Sequence, residues 1–199
     1  PKPAHQRPES PEFWDKRFAE GVTPWDHGSA PDELEHLVPP AGGETPPRIL
    51  VPGCGHAREA AWLDAHGWKV TALDFSPAAI DAARATLGEW GGELRCADFF
   101  DFPLDRPYDV VYERAFLCAL PRKLWPGYGH RLAEVVRPGG YLAGFFFFSD
   151  EPKGPPFGIG AAELETMLSP WFERIADAPA QDSVPVFAGK ERWQVWRRR

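Results

Sequence analysis

The chain predicts an α/β domain: a mostly parallel sheet with helices on both faces and an antiparallel edge near the C-terminus. Three observations carry that prediction. From Arg48 onward, short apolar runs alternate with helical stripes. The first of these runs ends in a glycine turn, "PGCG". The last two runs, "FERIADA" and "RWQVWRR", have no helix between them, and strands joined without a crossover pair antiparallel. With 199 residues, 43% of them hydrophobic, the chain is long enough to bury the core of one such domain.

Each element has its own signal. Ser10-Pro11 predicts a helix start, a capping residue followed by Pro at the first helical position, and Gly21 suits its end. Trp14 and Phe18 are four apart and share a face of that helix. A second short helix is expected from Pro31 through "APDELEHLV" to Pro39-Pro40, followed by the linker "PPAGGETPP". Residues 1–47 thus form an N-terminal segment and linker, and residues 48–199 the core of a single domain. "RILV" is the first buried strand, and "AREAAWLDAHG" a helix closing on Gly67. "KVTALD" is the next strand; Ser76-Pro77 then caps and starts a helix with Ile80, Ala83 and Leu87 on one stripe. "ELRCAD" and "YDVVYE" are strands three and four. Leu124, Tyr128, Leu132 and Val135 mark a helix stripe, with Pro126 near its start, where a missing N–H does least harm. "RPGG" predicts a type II turn ahead of "YLAGFFFF", which is apolar on both faces as a central parallel strand is. A Gly/Pro loop, "SDEPKGPPFGIG", leads to the helix "AAELETMLSPW" and the two closing strands, where alternation places Trp193 and Trp196 in core on at least one side.

Composition narrows function. A net charge of −7 lacks the positive field that nucleic-acid binding needs, so no nucleic-acid partner is expected. Three cysteines, an odd number with no C-x-x-C pair, exclude a disulfide framework or zinc knuckle and fit a reducing cytoplasm. "YLAGFFFF" is too short to span a bilayer, and "PKPAHQRPES" has no signal-peptide core, so a cytoplasmic protein is expected without membrane attachment. Six histidines without H-E-x-x-H or similar spacing point to no metal.

"ILVPGCGHA" is the strongest chemical signal. Gly53 and Gly55 let the backbone turn tightly and let a ligand approach without meeting side chains. Asp74 follows Gly55 by nineteen residues and ends the next strand, about where an acid reaches ribose hydroxyls. Arg58 stands where a dinucleotide fingerprint needs its third glycine, and no G-K-[ST] occurs; the loop therefore suits a nucleoside without phosphates better than a nicotinamide dinucleotide. "CADFFD" ends the third strand with Asp98, able to accept from an adenine amino group, and Phe99, able to stack on the ring. Three successive strand ends describe an adenosine cradle.

"FWDKRFAEGVTPWDHG", "RILVPGCG", "VTALDFSP", "ADFFDF", "YDVVYERAFLCALP" and "RPGGYL" together resemble the thiopurine S-methyltransferase family, over Phe13 to Phe157. That resemblance implies a Rossmann-like seven-stranded class I methyltransferase sheet under an N-terminal helical lid. It also implies transfer of a methyl group from S-adenosylmethionine to a small-molecule nucleophile, most often a thiol. Halide or metalloid transfer, and a binding module without catalysis, are the alternatives. It implies cofactor contacts from Trp14, Phe18, Trp25, Gly53, Gly55, Asp74, Phe75, Asp98, Phe99 and Arg114. Phe18 departs from the family, which usually carries a second tryptophan there, so an indole N–H is lost. Arg114 is the first candidate to assist a thiolate, by raising its ionised fraction. Asp26 and Phe157 are the candidates for the acceptor side, and the protein is expected to be a monomer or weak dimer. A methyltransferase acting on nucleic acid or protein fits less well, since "ERAF" stands after the fourth strand in place of an N-P-P-Y type motif.

Overall fold

The computed structural model describes residues 2–37 and 45–199. Most of the expected linker, and the Pro39-Pro40 stop before it, lie outside these residues. The sheet has seven strands: β1 (Arg48–Pro52), β2 (Lys69–Asp74), β3 (Glu93–Cys96), β4 (Tyr108–Arg114), β5 (Val136–Phe147), β6 (Phe172–Pro179) and β7 (Glu191–Arg198). Their order is β3-β2-β1-β4-β5-β7-β6. β1 to β5 pair parallel, and β7 enters antiparallel between β5 and β6. The chain winds outward from β1 in one direction and then restarts at β4 in the other. The two halves diverge at the carboxyl ends of β1 and β4, and such a switch point opens a crevice.

Alternation along the strands divides the core in two. Leu50, Val111, Leu142 and Trp196 lie side by side across four strands and face one way. Against them pack Tyr128 and Leu132 of α4 (Trp125–Val135) and Leu164 and Leu168 of α5 (Ala161–Leu168). Ile49, Val51, Val110, Tyr112 and Phe145 face the other way. There they meet Ala60 and Leu63 of α2 (Arg58–Ala65) and Ala83 and Leu87 of α3 (Pro77–Leu87). Trp193 belongs to this second layer and Trp196 to the first, so both tryptophans are core, on opposite faces.

Some expectations need correction. The short helix expected after Pro31 takes the 3₁₀ form, Asp32–Leu37. Ser10 stands at the N-cap of α1 (Pro11–Ala19), but its hydroxyl bonds the Glu12 carboxylate instead of a helix N–H. "RPGG" is absorbed into β5: Gly139 has the positive φ of +75° a type II turn requires, and the register with β4 slips between Tyr108 and Val110 to make room for it. The turn is a bulge within the strand, because β4 continues alongside it.

The N-terminal segment is docked by hydrogen bonds. Asp15 of α1 accepts from the Ser76 hydroxyl at 2.6 Å and from the Ala78 N–H at 3.0 Å, while Ser76 accepts from the Ala79 N–H at 3.1 Å. A carboxylate from α1 thus completes the N-terminal cap of α3, where the helix dipole favours negative charge. Asp15→Ala is expected to lower the free energy of unfolding by about 1 kcal/mol in urea titrations. An unchanged midpoint would mean that this contact does not secure α1.

Candidate active site

Above the switch point, between α1 and the carboxyl ends of the parallel strands, lies a cavity of about 380 Å³. That is within the range of small-ligand sites. Its floor is the turn after β1, where Gly53, Gly55 and Ala57 all take positive φ, +59°, +51° and +57°. A Cβ on Gly53 would stand 2.6 Å from the Phe116 ring, so only glycine fits. A Cβ on Gly55 would reach within 3.6 Å of Phe18 and 4.0 Å of the Trp25 indole nitrogen, which places the N-terminal aromatics directly over the turn.

Asp74 pins this floor from the neighbouring strand. One carboxylate oxygen accepts from the Gly55 N–H at 3.1 Å and the other from the Ser76 N–H at 3.0 Å. Burial pushes its pKa up to about 6, against the pull of those hydrogen bonds. Phe75, Asp98 and Phe99 also line the cavity. Asp98 is exposed at the rim and accepts from the Phe100 N–H at 2.9 Å. Phe99 is almost wholly buried, with its ring among Phe102, Phe116 and Tyr128, so much of it serves the core.

The roof is aromatic. Trp25 meets Trp14 and Phe18 edge to face, with centroids 5.4 and 6.0 Å apart. The Trp14 indole N–H donates to the Pro8 carbonyl at 2.8 Å, so it is engaged within the roof. Asp26 is expected on the acceptor side, and it does line the cavity. Its two oxygens, however, accept from Arg58 Nε and Nη2 at 2.8 and 2.9 Å, and that guanidinium holds its carboxyl below the usual range. Arg58, which stands where a dinucleotide fold has glycine, ties the roof to the turn. Phe157 does not line this cavity. Its N–H donates to the Cys118 carbonyl at 2.7 Å, its ring joins the core, and Pro155 and Pro156 form the wall instead.

Arg114 ends β4 at the cavity with its side chain only 5% exposed. Its Nε and Nη2 face the Glu191 carboxylate at 3.2 and 3.3 Å, Nη2 also donates to the Asp182 carbonyl at 3.0 Å, and its Nη1 is buried without a partner among the described residues. An unpaired, desolvated donor beside a cavity invites an anionic group such as a carboxylate. The loop between β6 and β7 closes the far wall with Val186 and Phe187. It meets the roof where Asp182 lies 2.8 Å from His27 Nε2. Sequence reasoning missed Arg58, Glu191 and this loop; the apolar "VPVF" between polar stretches was its one visible signal. Among the described residues no cluster of His, Cys, Asp or Glu suits a metal, and no helix is long and apolar enough to cross a membrane.

The sheet order, a glycine turn beside an acid-ended strand and a cavity under an aromatic roof define a class I S-adenosylmethionine-dependent methyltransferase. The fold agrees with solved structures of that class. A Burkholderia thailandensis 1,6-didemethyltoxoflavin-N1-methyltransferase, solved with S-adenosylhomocysteine, aligns with TM-score 0.73 at 18% identity over 94% of this chain and 86% of its own. A TehB-like S-adenosylmethionine-dependent methyltransferase from Corynebacterium glutamicum aligns with TM-score 0.68 at 16% identity over 97% of this chain and 100% of its own. The thiopurine S-methyltransferase family model matches residues 9–199, and the chain belongs to that family. Thiocyanate methyltransferase 1 of Arabidopsis thaliana is 28% identical over 93% of this chain and 84% of its own length. The thiopurine S-methyltransferase of Vibrio campbellii is 28% identical over 79% and 81%.

Two measurements probe this geometry. Arg58→Ala and Asp26→Asn are each expected to raise the Kd for S-adenosylhomocysteine about tenfold, and the double variant no further, since one ion pair is lost either way. Additive losses in calorimetry would show that the two residues act separately. Asp74 sets the pH response. Its folded-state pKa lies above the unfolded value near 3.8, so its contribution to stability falls as pH rises from about 4 to about 6. Ligand binding runs the opposite way if ribose hydroxyls bond the carboxylate. The Kd for S-adenosylhomocysteine should then rise about tenfold from pH 7 to pH 5, and a flat profile would remove Asp74 from ribose recognition.

Proposed function

We propose that the chain moves the methyl group of S-adenosylmethionine to a small soft nucleophile, foremost a thiolate, by in-line displacement. The observation that carries this is the wall formed after β4 and β5 and between β6 and β7: Phe116, Cys118, Pro155, Pro156 and Phe187. It is apolar, and its one titratable side chain, Cys118, is kept protonated by burial. Such a wall neither accepts a proton nor hydrates an anion, so it suits a nucleophile that arrives ionised. A free thiol, with a pKa of about 8.5, supplies a usable thiolate fraction near neutrality.

S-adenosylmethionine supplies a methyl group already activated on a sulfonium. The protein's task is orientation and exclusion of water. In this reading, residues 1–47 form the lid segment and residues 48–199 the catalytic domain. Gly53, Gly55 and Asp74 hold the nucleoside ribose side, and Phe75, Asp98 and Phe99 the base. The Arg114 Nη1 donates to the cofactor carboxylate, and because Glu191 neutralises much of that guanidinium, its help to a thiolate is secondary. Trp14, Phe18 and Trp25 shed water and offer ring faces to the sulfonium, worth about 0.5–2 kcal/mol. The net charge of −7 and the free cysteines favour a cytoplasmic monomer or weak dimer acting on small molecules, without nucleic acid. The plant relatives named thiocyanate methyltransferase favour thiocyanate as a second acceptor, which the same apolar wall would accommodate.

Methyl transfer measured over thiophenol, 2-mercaptoethanol, bisulfide, thiocyanate, iodide, an amine and a catechol tests the reading. The aromatic thiol is expected to turn over fastest, with no product from the amine or catechol. Preference for the amine or catechol would overturn the acceptor assignment.

A further inference from the structure

One buried acid has no place in the chemistry above. Glu113, next to Arg114 in β4, is 1% exposed and lines no part of the main cavity. Arg114 turns to Glu191, and among the described residues no cation pairs with Glu113. Instead it collects donors: Oε2 accepts from the Phe116 N–H at 3.0 Å, Oε1 accepts from the Tyr128 hydroxyl at 3.2 Å, and the Leu117 N–H also points to the carboxylate. Two amides and a phenol all need acceptors, and an ionised carboxylate is the side chain that offers only acceptors. Two of the donors lie in the turn that follows β4. Ala115, between Arg114 and Phe116, takes φ +57°, which a side-chain-bearing residue rarely adopts. Past it, the Phe116 ring lies against Gly53, and the Cys118 carbonyl receives the Phe157 N–H that sets Pro155 and Pro156 on the wall.

We propose that Glu113 is the positioning residue for the acceptor end of the cavity: its carboxylate holds the left-handed turn at Ala115, and through it Phe116 and the Pro155–Pro156 wall. The proposal rests on the acceptor reading given above. Glu113 touches neither cofactor nor acceptor. Burial pushes its pKa up to about 7, so its charge changes near neutrality. The titratable groups near it are Tyr128 from α4, Cys118 from the turn, Glu191 from β7 and, on its own strand, Tyr112; β5 brings only the main chain at Gly144 and apolar rings. All four groups are acids, so none of them favours its ionised form by charge. Protonation removes the charge that strengthens the two amide bonds and turns one accepting oxygen into a donor, so the hold on the turn loosens. Acceptor binding should therefore weaken as pH falls through about 7, a step separate from the Asp74 effect on the cofactor near 6.

The test follows the backbone amide resonances of Phe116, Leu117 and Phe157 against pH, alongside acceptor KM and S-adenosylhomocysteine Kd. In the wild type the three amides are expected to titrate together with a midpoint near 7. In Glu113→Gln that titration disappears, acceptor KM rises about tenfold and cofactor Kd changes less than threefold. Tyr128→Phe removes one donor, so the midpoint moves upward while the fold persists; this variant decides the matter if Glu113→Gln does not fold. Amides that ignore pH in the wild type, a midpoint unmoved by Tyr128→Phe, or KM and Kd rising together would each overturn the proposal. A wild type that methylates nothing in the panel refutes the assigned function alone, because the amide titration still reads whether Glu113 holds the turn and the Phe157 segment.

Discussion

The hydrogen bond from the Gly55 N–H to the Asp74 carboxylate is the contact on which the rest of the site depends. Residues with positive φ at 53, 55 and 57 turn the chain away from β1, and only the Cys54 N–H, donating to the Leu73 carbonyl, and the Ala57 N–H, donating to the Cys54 carbonyl, hold its main chain. Asp74, at the end of the parallel neighbour β2, supplies the missing acceptor. A carboxylate within a parallel sheet costs desolvation, seen in its upward-shifted pKa, and the backbone donors offset that cost. The floor of the cavity is therefore held by the protein's own hydrogen bonds.

The same device recurs along the switch point. Asp74, Glu113 and Glu191 are all buried carboxylates at or beside the ends of alternate strands, β2, β4 and β7, and each accepts from several donors. Asp74 holds the turn after β1, Glu113 the turn after β4, and Glu191 the Arg114 guanidinium and the Ser183 hydroxyl. Buried acids of this kind are a weak source of stability, but they give each loop one preferred geometry. In this fold they stand where loops leave the sheet, which is also where a small molecule must be gripped.

The roof is held differently. Apart from Phe13, its aromatic residues are half-buried, and its anchors are polar contacts at the rim: Asp15 with Ser76, Asp26 with Arg58, and His27 with Asp182. Rim contacts in partial solvent are individually modest.

The sequence by itself determined the sheet and its helices, because the central strands and the helices announce their burial by a local period: Leu50 against Ile49 and Val51, Ile80 with Ala83 and Leu87, and the all-apolar "YLAGFFFF". It also marked the glycine turn and the acid-ended strands that meet at one cavity, since φ > 0 and strand-end acids leave a spacing that can be counted. What only the tertiary structure decided are pairings between residues far apart in the chain. Arg58 looked like a defect in a fingerprint until Asp26, thirty-two positions earlier, was seen to engage it. Arg114 looked like a free cation until Glu191, seventy-seven positions later, was found against it. Phe157 looked like wall, and proved to be held behind it by the Cys118 carbonyl. A charge or ring carries no mark in the sequence of which distant partner will meet it; that is set by the register with which β7 is inserted beside β5 and by the docking of α1 on α3.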